Sequence, residues 1–321
     1  MPLSDSSGEG AVTSHNSTDK VSQRPLHFRR ALQQTRKLQE TNETPSPAKL
    51  PRNEMGRKSI IVAERARFRE SFLRVIDLNS TRASEVIGKV DTLLLPVGTL
   101  EAHGPHCSVA ADSLIADKMA EEVERMAPNK VLLGPLIPYG HTWHLKAHPG
   151  SLDVPGKTLG DYVFEVIKGF GESWKIKYAI IVNGHGGNID PLHEAAERAS
   201  DLGVKTVVLS WWTGGFLEPF KQVVKDAEGH AGEAETSLLL NVGEKYVEKA
   251  LVPREDHNFS FPTAVSFMDI YDPAANRTAF PRAFSGAPRD ASTDKGKRLN
   301  QKAAEVMLQV IDGMRSGRLI V

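Results

Sequence analysis

The sequence predicts an α/β fold: a single doubly wound domain with a mostly parallel sheet flanked by helices. Three observations predict it. Short apolar runs alternate with stretches of helical periodicity, the pattern of right-handed βαβ units. The runs are apolar almost throughout, as in strands buried on both faces. The histidines and carboxylates gather in the loops directly after these runs, where open α/β sheets bind ligands.

The elements follow in order. Residues 1–58 hold one aromatic, Phe28, and are rich in Ser, Thr, Asn, Gln and Pro, with ten basic to six acidic side chains. Such a stretch buries too little apolar surface to offset its ordering entropy, so it reads as a disordered polar tail. Residues 59–321 form the domain. Phe68, Phe72, Val75 and Ile76 fall at helical spacing and predict an amphipathic helix. Residues 92–97 (TLLLPV) predict a buried strand. Residues 113–126 predict a helix with Ile115, Met119, Val123 and Met126 on one face. A strand at 131–136, a helix at 159–174 and a strand at 178–182 (YAIIV) come next. A helix at 191–202, a strand at 205–211 and helices at 233–242 and 295–315 complete the series.

Composition excludes several classes. Lys+Arg and Asp+Glu are 40 each, so the formal charge is zero, which argues against a nucleic-acid or anionic-membrane binder. No run of eighteen apolar residues predicts a membrane span, and no apolar N-terminal segment predicts secretion. The one cysteine, Cys107, permits no internal disulfide. A cytoplasmic location is the simplest expectation.

Nine of the eleven histidines lie between residues 103 and 257. The first loop, Gly98-Thr-Leu-Glu101-Ala-His103-Gly-Pro-His106, runs on to Asp112. Residues two apart in an extended segment project to one side, so Glu101 and His103 can reach one point. Asp112 directly precedes a predicted helix, where an N-cap is its bland role. The second loop, Asn183-Gly-His185-Gly-Gly-Asn188, is neither a dinucleotide fingerprint nor a Walker A loop. The third, Gly229-His230-Ala-Gly-Glu233-Ala-Glu235-Thr-Ser237, leads into an apolar helix. There the bland role of both glutamates is to complement the helix dipole. Imidazole and carboxylate without thiolate suit Zn²⁺, Mn²⁺ or Fe²⁺. Neither H-E-x-x-H nor G-x-S-x-G occurs, which excludes an ordinary zincin and leaves a serine hydrolase poorly supported.

Together the three loops resemble the creatininase (creatinine amidohydrolase) family. Pro96-Val-Gly-Thr-Leu-Glu101-Ala-His103-Gly-Pro-His106 with Asp112 is similar to its first motif. Residues 183–188 are similar to its N-G-H-G-G-N form, found in the branch that includes an archaeal formamidopyrimidine-nucleotide deformylase. Residues 229–237 are similar to its G-H-A-G-x-x-E-T-S stretch. The resemblance covers roughly residues 75–315. It implies an oligomeric metal-dependent amidohydrolase with a small-molecule substrate and two divalent ions per chain. Glu101, His103, Asp112 and His185 would be ligands, with Asp112 the bridge. Glu235 would be a further ligand, with Glu233 the competing candidate, and His230 would handle protons.

Departures bear on substrate. Creatininase proper resembles N-G-H-Y-E-N at the second loop, and its glutamate position is Gly187 here, which argues against creatinine. The family commonly has a histidine at the position of Leu145 and an aromatic at that of His148. His144 is therefore a substrate-contact candidate, while loop polarity alone equally accounts for His141, His144 and His148. Trp211 and Trp212 end a predicted strand beside the site and are candidates to wall the pocket, with at least one of them expected in the core. The expected reaction is hydrolysis of a cyclic amide or formamide. A peptide, a ring carbon skeleton, or metal or ligand binding without catalysis are the alternatives.

Overall fold

Four parallel strands form one sheet in the order β2-β1-β3-β4 in the computed structural model, which describes residues 73–257 and 269–318. They are β1 (Thr92–Val97), β2 (Leu132–Leu133), β3 (Tyr178–Asn183) and β4 (Lys205–Ser210). The helices are α1 (Ser80–Val86), α2 (Ala111–Met126), α3 (Gly156–Gly169), α4 (Ile189–Asp201) and α5 (Leu217–Lys221), followed by α6 (Glu233–Val242), α7 (Pro273–Ala279) and α8 (Thr293–Ser316). β1 and β3 are central and pair in register from Thr92 beside Tyr178 to Val97 beside Asn183.

Alternate side chains of these strands enter two separate cores, as the two-residue period requires. Leu94, Ile180 and Val182 pack with Ile115, Met119 and Val123 of α2, Leu238 and Leu239 of α6, and Met307 and Ile311 of α8. Leu93, Leu95, Ala179 and Ile181 pack with Leu159, Val163 and Ile167 of α3 and Leu192, Ala195 and Ala199 of α4. Both faces of the sheet are thus covered, as the expected doubly wound architecture demands. The chain leaves β1 towards β2 on one side and β3 towards β4 on the other. The crevice between the carboxyl ends of β1 and β3 is therefore the topological switch point.

Several boundaries differ from expectation. Val75–Asp77 form a 3₁₀ turn rather than part of an amphipathic helix, and Ile76 is exposed. Phe68, Phe72 and the tail at 1–58 lie outside the described residues. α1 is not anticipated, because Val86 is its only buried side chain and one residue gives no period. β2 is two residues long instead of six; Pro135, two positions on, has no N–H to continue a ladder. α2 begins at Ala111, so Asp112 lies inside the first turn and caps nothing; the N-cap is Ala110. α6 has the expected bounds. No helix among the described residues is long and apolar enough to cross a membrane.

Candidate metal centre

Two glycines let both central strands exit against the start of α2. A Cβ on Gly98 would collide with the Ser113 backbone, and one on Gly184 would collide with the Asp112 carbonyl. With hydrogen in those places, the loops after β1 and β3 close on Asp112 from two sides. Asp112 Oδ1 lies 2.9 Å from His103 Nε2, and Oδ2 lies 3.1 Å from His185 Nδ1. Glu101 Oε1 is 3.2 Å from His185 Nδ1 and 3.9 Å from His230 Nδ1. Glu235 Oε2 is 3.6 Å from His103 Nε2. All six residues that the sequence singled out for metal or proton chemistry therefore meet in one place.

The second nitrogen of each imidazole decides what that place can hold. His103 Nδ1 is 3.1 Å from the Glu101 carbonyl, His185 Nε2 is 3.0 Å from the His141 carbonyl, and His230 Nε2 is 2.9 Å from the Ala102 carbonyl. A carbonyl only accepts, so each of these nitrogens carries hydrogen and donates it. When neutral, each ring turns a lone pair towards carboxylate oxygens, an arrangement that needs a cation between them. His103 Nε2 and Asp112 Oδ2 are buried, and no group outside the cluster satisfies either. Ligand atoms of Glu101, Asp112 and His185 fall within 4.8 Å of one another, as do those of His103, Asp112 and Glu235. Asp112 belongs to both groups, so the donor set fits two neighbouring cations sharing one carboxylate. Glu101, His103 and His230 make a third such group.

Without cations, protons carry the compensation. Burial acts to lower the His103 pKa, but Asp112, Glu235 and Glu101 overcome it and raise it to about 10. His185 is raised well above the ordinary imidazole range against the same burial, by Glu101 and Asp112. Burial would lift the carboxyl pKa of Asp112 and Glu101, yet the adjacent imidazoles hold both low. Glu235 differs: burial prevails and raises it to about 7. His230 is lowered to about 4, first by burial and then by the His103 charge, so it is neutral at pH 7.

Beside this cluster lies a cavity of ≈ 210 Å³. Its walls include His144, Trp211 and Trp212, as the sequence suggested, with Leu145, Phe280 and Thr142. Trp211 is also core: it is buried, meets Trp212 edge-on at 5.5 Å and packs on Phe220 at 5.9 Å. His144 lies 5.6 Å from the Tyr271 ring. The other two loop histidines have partners within the protein. His141 meets Asp153, and buried His148 donates through Nε2 to the Phe280 carbonyl. Glu233 faces away from the cluster; it accepts from the backbone of Lys225 and Asp226 and pairs with Lys295 at 2.5 Å. Of the two α6 glutamates, Glu235 alone faces the rest of the cluster.

Two residues were not singled out from the sequence. Thr142 donates to Glu101 Oε2 at 2.5 Å, and its place between His141 and His144 was the available signal. Phe280 had none: it is one apolar residue at the end of α7, brought in only by the tertiary fold. Gly187 has a clear reason. Any Cβ there would meet the His141 carbonyl, which already holds His185, so this backbone leaves no place for a glutamate.

Known proteins share this frame. Residues 77–311 match the creatininase family, described as creatinine amidohydrolase. Creatinine amidohydrolase of Pseudomonas putida is 29% identical over 225 residues, covering 64% of this chain and 82% of its own. The mycofactocin precursor peptide peptidase of Mycolicibacterium smegmatis is 29% identical over 172 residues, and the match spans 51% of this chain and 63% of the peptidase. A solved structure described as a manganese creatininase superposes with a TM-score of 0.64 at 25% identity, covering 77% of this chain and 99% of that one. The fold, the ordered loops and the family match together establish that this chain belongs to the creatininase family.

Proposed function

We propose that this chain is a metal-dependent amidohydrolase that cleaves a C–N bond of a small cyclic amide or formamide. One observation carries the reading: the Asp112 carboxylate sits between His103 and His185, each of which spends its other nitrogen on a backbone carbonyl. In this reading Glu101, Asp112 and His185 would hold one ion, and His103, Asp112 and Glu235 would hold the other, as Zn²⁺, Mn²⁺ or Fe²⁺. When bound, such ions polarise a carbonyl and lower the pKa of water from 15.7 towards about 7. His230 moves the proton. With Nε2 fixed on Ala102, its Nδ1 faces the cluster, where it can take a proton from the attacking water. It then delivers that proton to the leaving nitrogen. Trp211, Trp212 and His144 border the substrate, and the small, largely apolar cavity suits a compact planar ring.

The test couples metal analysis to a panel of lactams and formamides, with chelator as the control. Hydrolysis undiminished in chelator would sink the metal mechanism. His230→Ala should keep both ions while kcat falls about 10²–10⁴-fold, least for substrates with good leaving groups. Loss of metal in that variant would instead make His230 a ligand, as its grouping with Glu101 and His103 allows.

A peptide substrate is the second reading. A recess of ≈ 580 Å³ lined by Trp143, Tyr271 and Asp190 shares His144, Gly186 and Gly187 with the cavity, which gives an extended chain somewhere to lie. Cleavage of short peptides but not lactams would favour it. We also assign the activity to residues 59–321 of a cytoplasmic homo-oligomer, so removing 1–58 should leave turnover unchanged.

A further inference from the structure

Among the described residues outside the ligand set, one group touches the ligands Glu101 and His185 at once. It is the segment 151–154 together with His141 and Thr142. Leu152 N donates to the Leu100 carbonyl at 2.9 Å, and Ser151 Oγ accepts from Ala102 N at 3.0 Å. Both residues flanking Glu101 are thereby pinned. Val154 N donates to the Gly140 carbonyl at 2.9 Å, which draws the next loop onto the same segment. Asp153 then fixes that loop. Its Oδ1 accepts from Thr142 N at 2.9 Å and lies 3.0 Å from His141 Nδ1. From the other side, Asn188 Oδ1 accepts from His141 N at 2.8 Å. What the fixed dipeptide presents is a hydroxyl and a carbonyl. Buried Thr142 donates through Oγ1 to Glu101 Oε2, which leaves Oε1 facing His185 and His230. The His141 carbonyl takes the Nε2 hydrogen of His185, which leaves Nδ1 facing Glu101 and Asp112.

We infer that Asp153 and Thr142 are positioning residues for one metal subsite, that of Glu101, Asp112 and His185, and not for the other. The inference rests on the metal reading above and extends it. Partners of this kind matter because a ligand held in the right rotamer and tautomer loses little on coordination. His103 donates to the Glu101 carbonyl and Glu235 accepts from Ala231 N, and neither bond involves Asp153 or Thr142.

The experiment measures Mn²⁺ binding to the full chain by electron paramagnetic resonance of free Mn²⁺, with the thermal transition of the metal-free protein alongside. Thr142→Val and Asp153→Ala should each weaken one of two Mn²⁺ by about 10–100-fold, the range typical of outer partners. The other Mn²⁺ should bind as in the wild type. Thr142→Ser keeps the hydroxyl, and Asp153→Asn keeps an oxygen that accepts both donors, so both should bind like wild type. The double variant Thr142→Val with Asp153→Ala should cost little more than either alone, because both act through one contact. Equal weakening of both Mn²⁺, loss in the conservative variants as large as in the disruptive ones, or two wild-type isotherms would each overturn the inference. A wild-type chain that takes up no Mn²⁺ would overturn the metal reading itself, a failure recognisable before any variant is made.

Discussion

Glu101 and His185 enter the site from loops at the ends of two adjacent, hydrogen-bonded strands, whereas His230 and Glu235 enter from a turn and a helix start outside the sheet. The first arm is anchored by the β1–β3 ladder, by Asn188 and by the segment around Asp153. The second is anchored outside the sheet, with Glu233 tied to Lys225, Asp226 and Lys295, and Thr236 to His106. Ser285 exchanges hydrogen bonds with the His230 backbone, and the turn passes through Ala231 at φ 48, where non-glycine residues are strained. Electrostatics follow the same division. Glu101 is held ionised by its imidazole neighbours, while burial raises Glu235 to about 7. The strand ends thus supply one side of the cluster, and the α6 arm supplies the other.

The severest way to break this comparison is to remove what the arms share. Asp112→Asn retains shape and removes the charge that faces both His103 and His185. Both ions should weaken by more than the roughly 100-fold seen for outer partners, and hydrolysis should vanish with them. Because Asp112 also compensates the buried imidazolium charges of His103 and His185 in the metal-free protein, that form should lose stability too, read as a lower thermal transition at neutral pH. Two ions retained per chain on elemental analysis would refute the shared carboxylate.

Glu235→Gln should sharpen it. This variant loses the proposed ligand of the α6 arm and leaves Glu101, Asp112 and His185 intact, so one ion should stay at near wild-type affinity and the other should be lost. If both depart together, the halves are not independent. The same division predicts proton traffic. In the metal-free protein, His103 has a pKa of about 10 against an ordinary 6.5, so its stabilising contribution is full below pH 6.5 and is lost as pH rises through about 10. At pH 7 a cation must displace this proton and that of His185. Calorimetry of Mn²⁺ binding in buffers of different ionisation enthalpy should therefore show proton release, with affinity increasing from pH 6 to pH 9. A buffer-independent heat would mean that the site stands deprotonated before it is loaded.

The two arms were also unequally legible in the sequence. TLLLPV and YAIIV have the length and apolar continuity of buried parallel strands, and the loops after them carry Glu101, His103 and His185. That much follows from local pattern. Glu235 was named by motif, but its choice over Glu233 needed the structure, because both stand in the first turn of α6 and only their opposite partners separate them. The Ser151–Ala102 bond joins residues 49 apart, and the His148–Phe280 bond joins residues 132 apart. No period or propensity reports pairings at that distance. β2 was overextended for the opposite reason: its apolar run continues, while Pro135 cannot serve a ladder.

The smallest expected effect tests whether the α6 arm stores strain. Ala231 is buried, with its N–H given to Glu235 Oε2 at 2.5 Å and its carbonyl accepting from Thr236 Oγ1 at 3.1 Å. These two bonds hold a left-handed residue between the proposed proton carrier and the proposed ligand. A left-handed alanine costs about 1–2 kcal/mol that glycine does not bear, and glycine returns about 0.5–1 kcal/mol through its freer unfolded chain. The variant also removes a buried methyl worth about 0.8 kcal/mol. Ala231→Gly should therefore leave the metal-free protein within about 0.5 kcal/mol of the wild type, read as a nearly unchanged urea midpoint at unchanged slope. Metal should be retained, because the backbone N–H that steers Glu235 is unchanged. Destabilisation beyond about 1 kcal/mol would show that the turn is relaxed with alanine in place, and the α6 arm would then be as settled as the strand ends it faces.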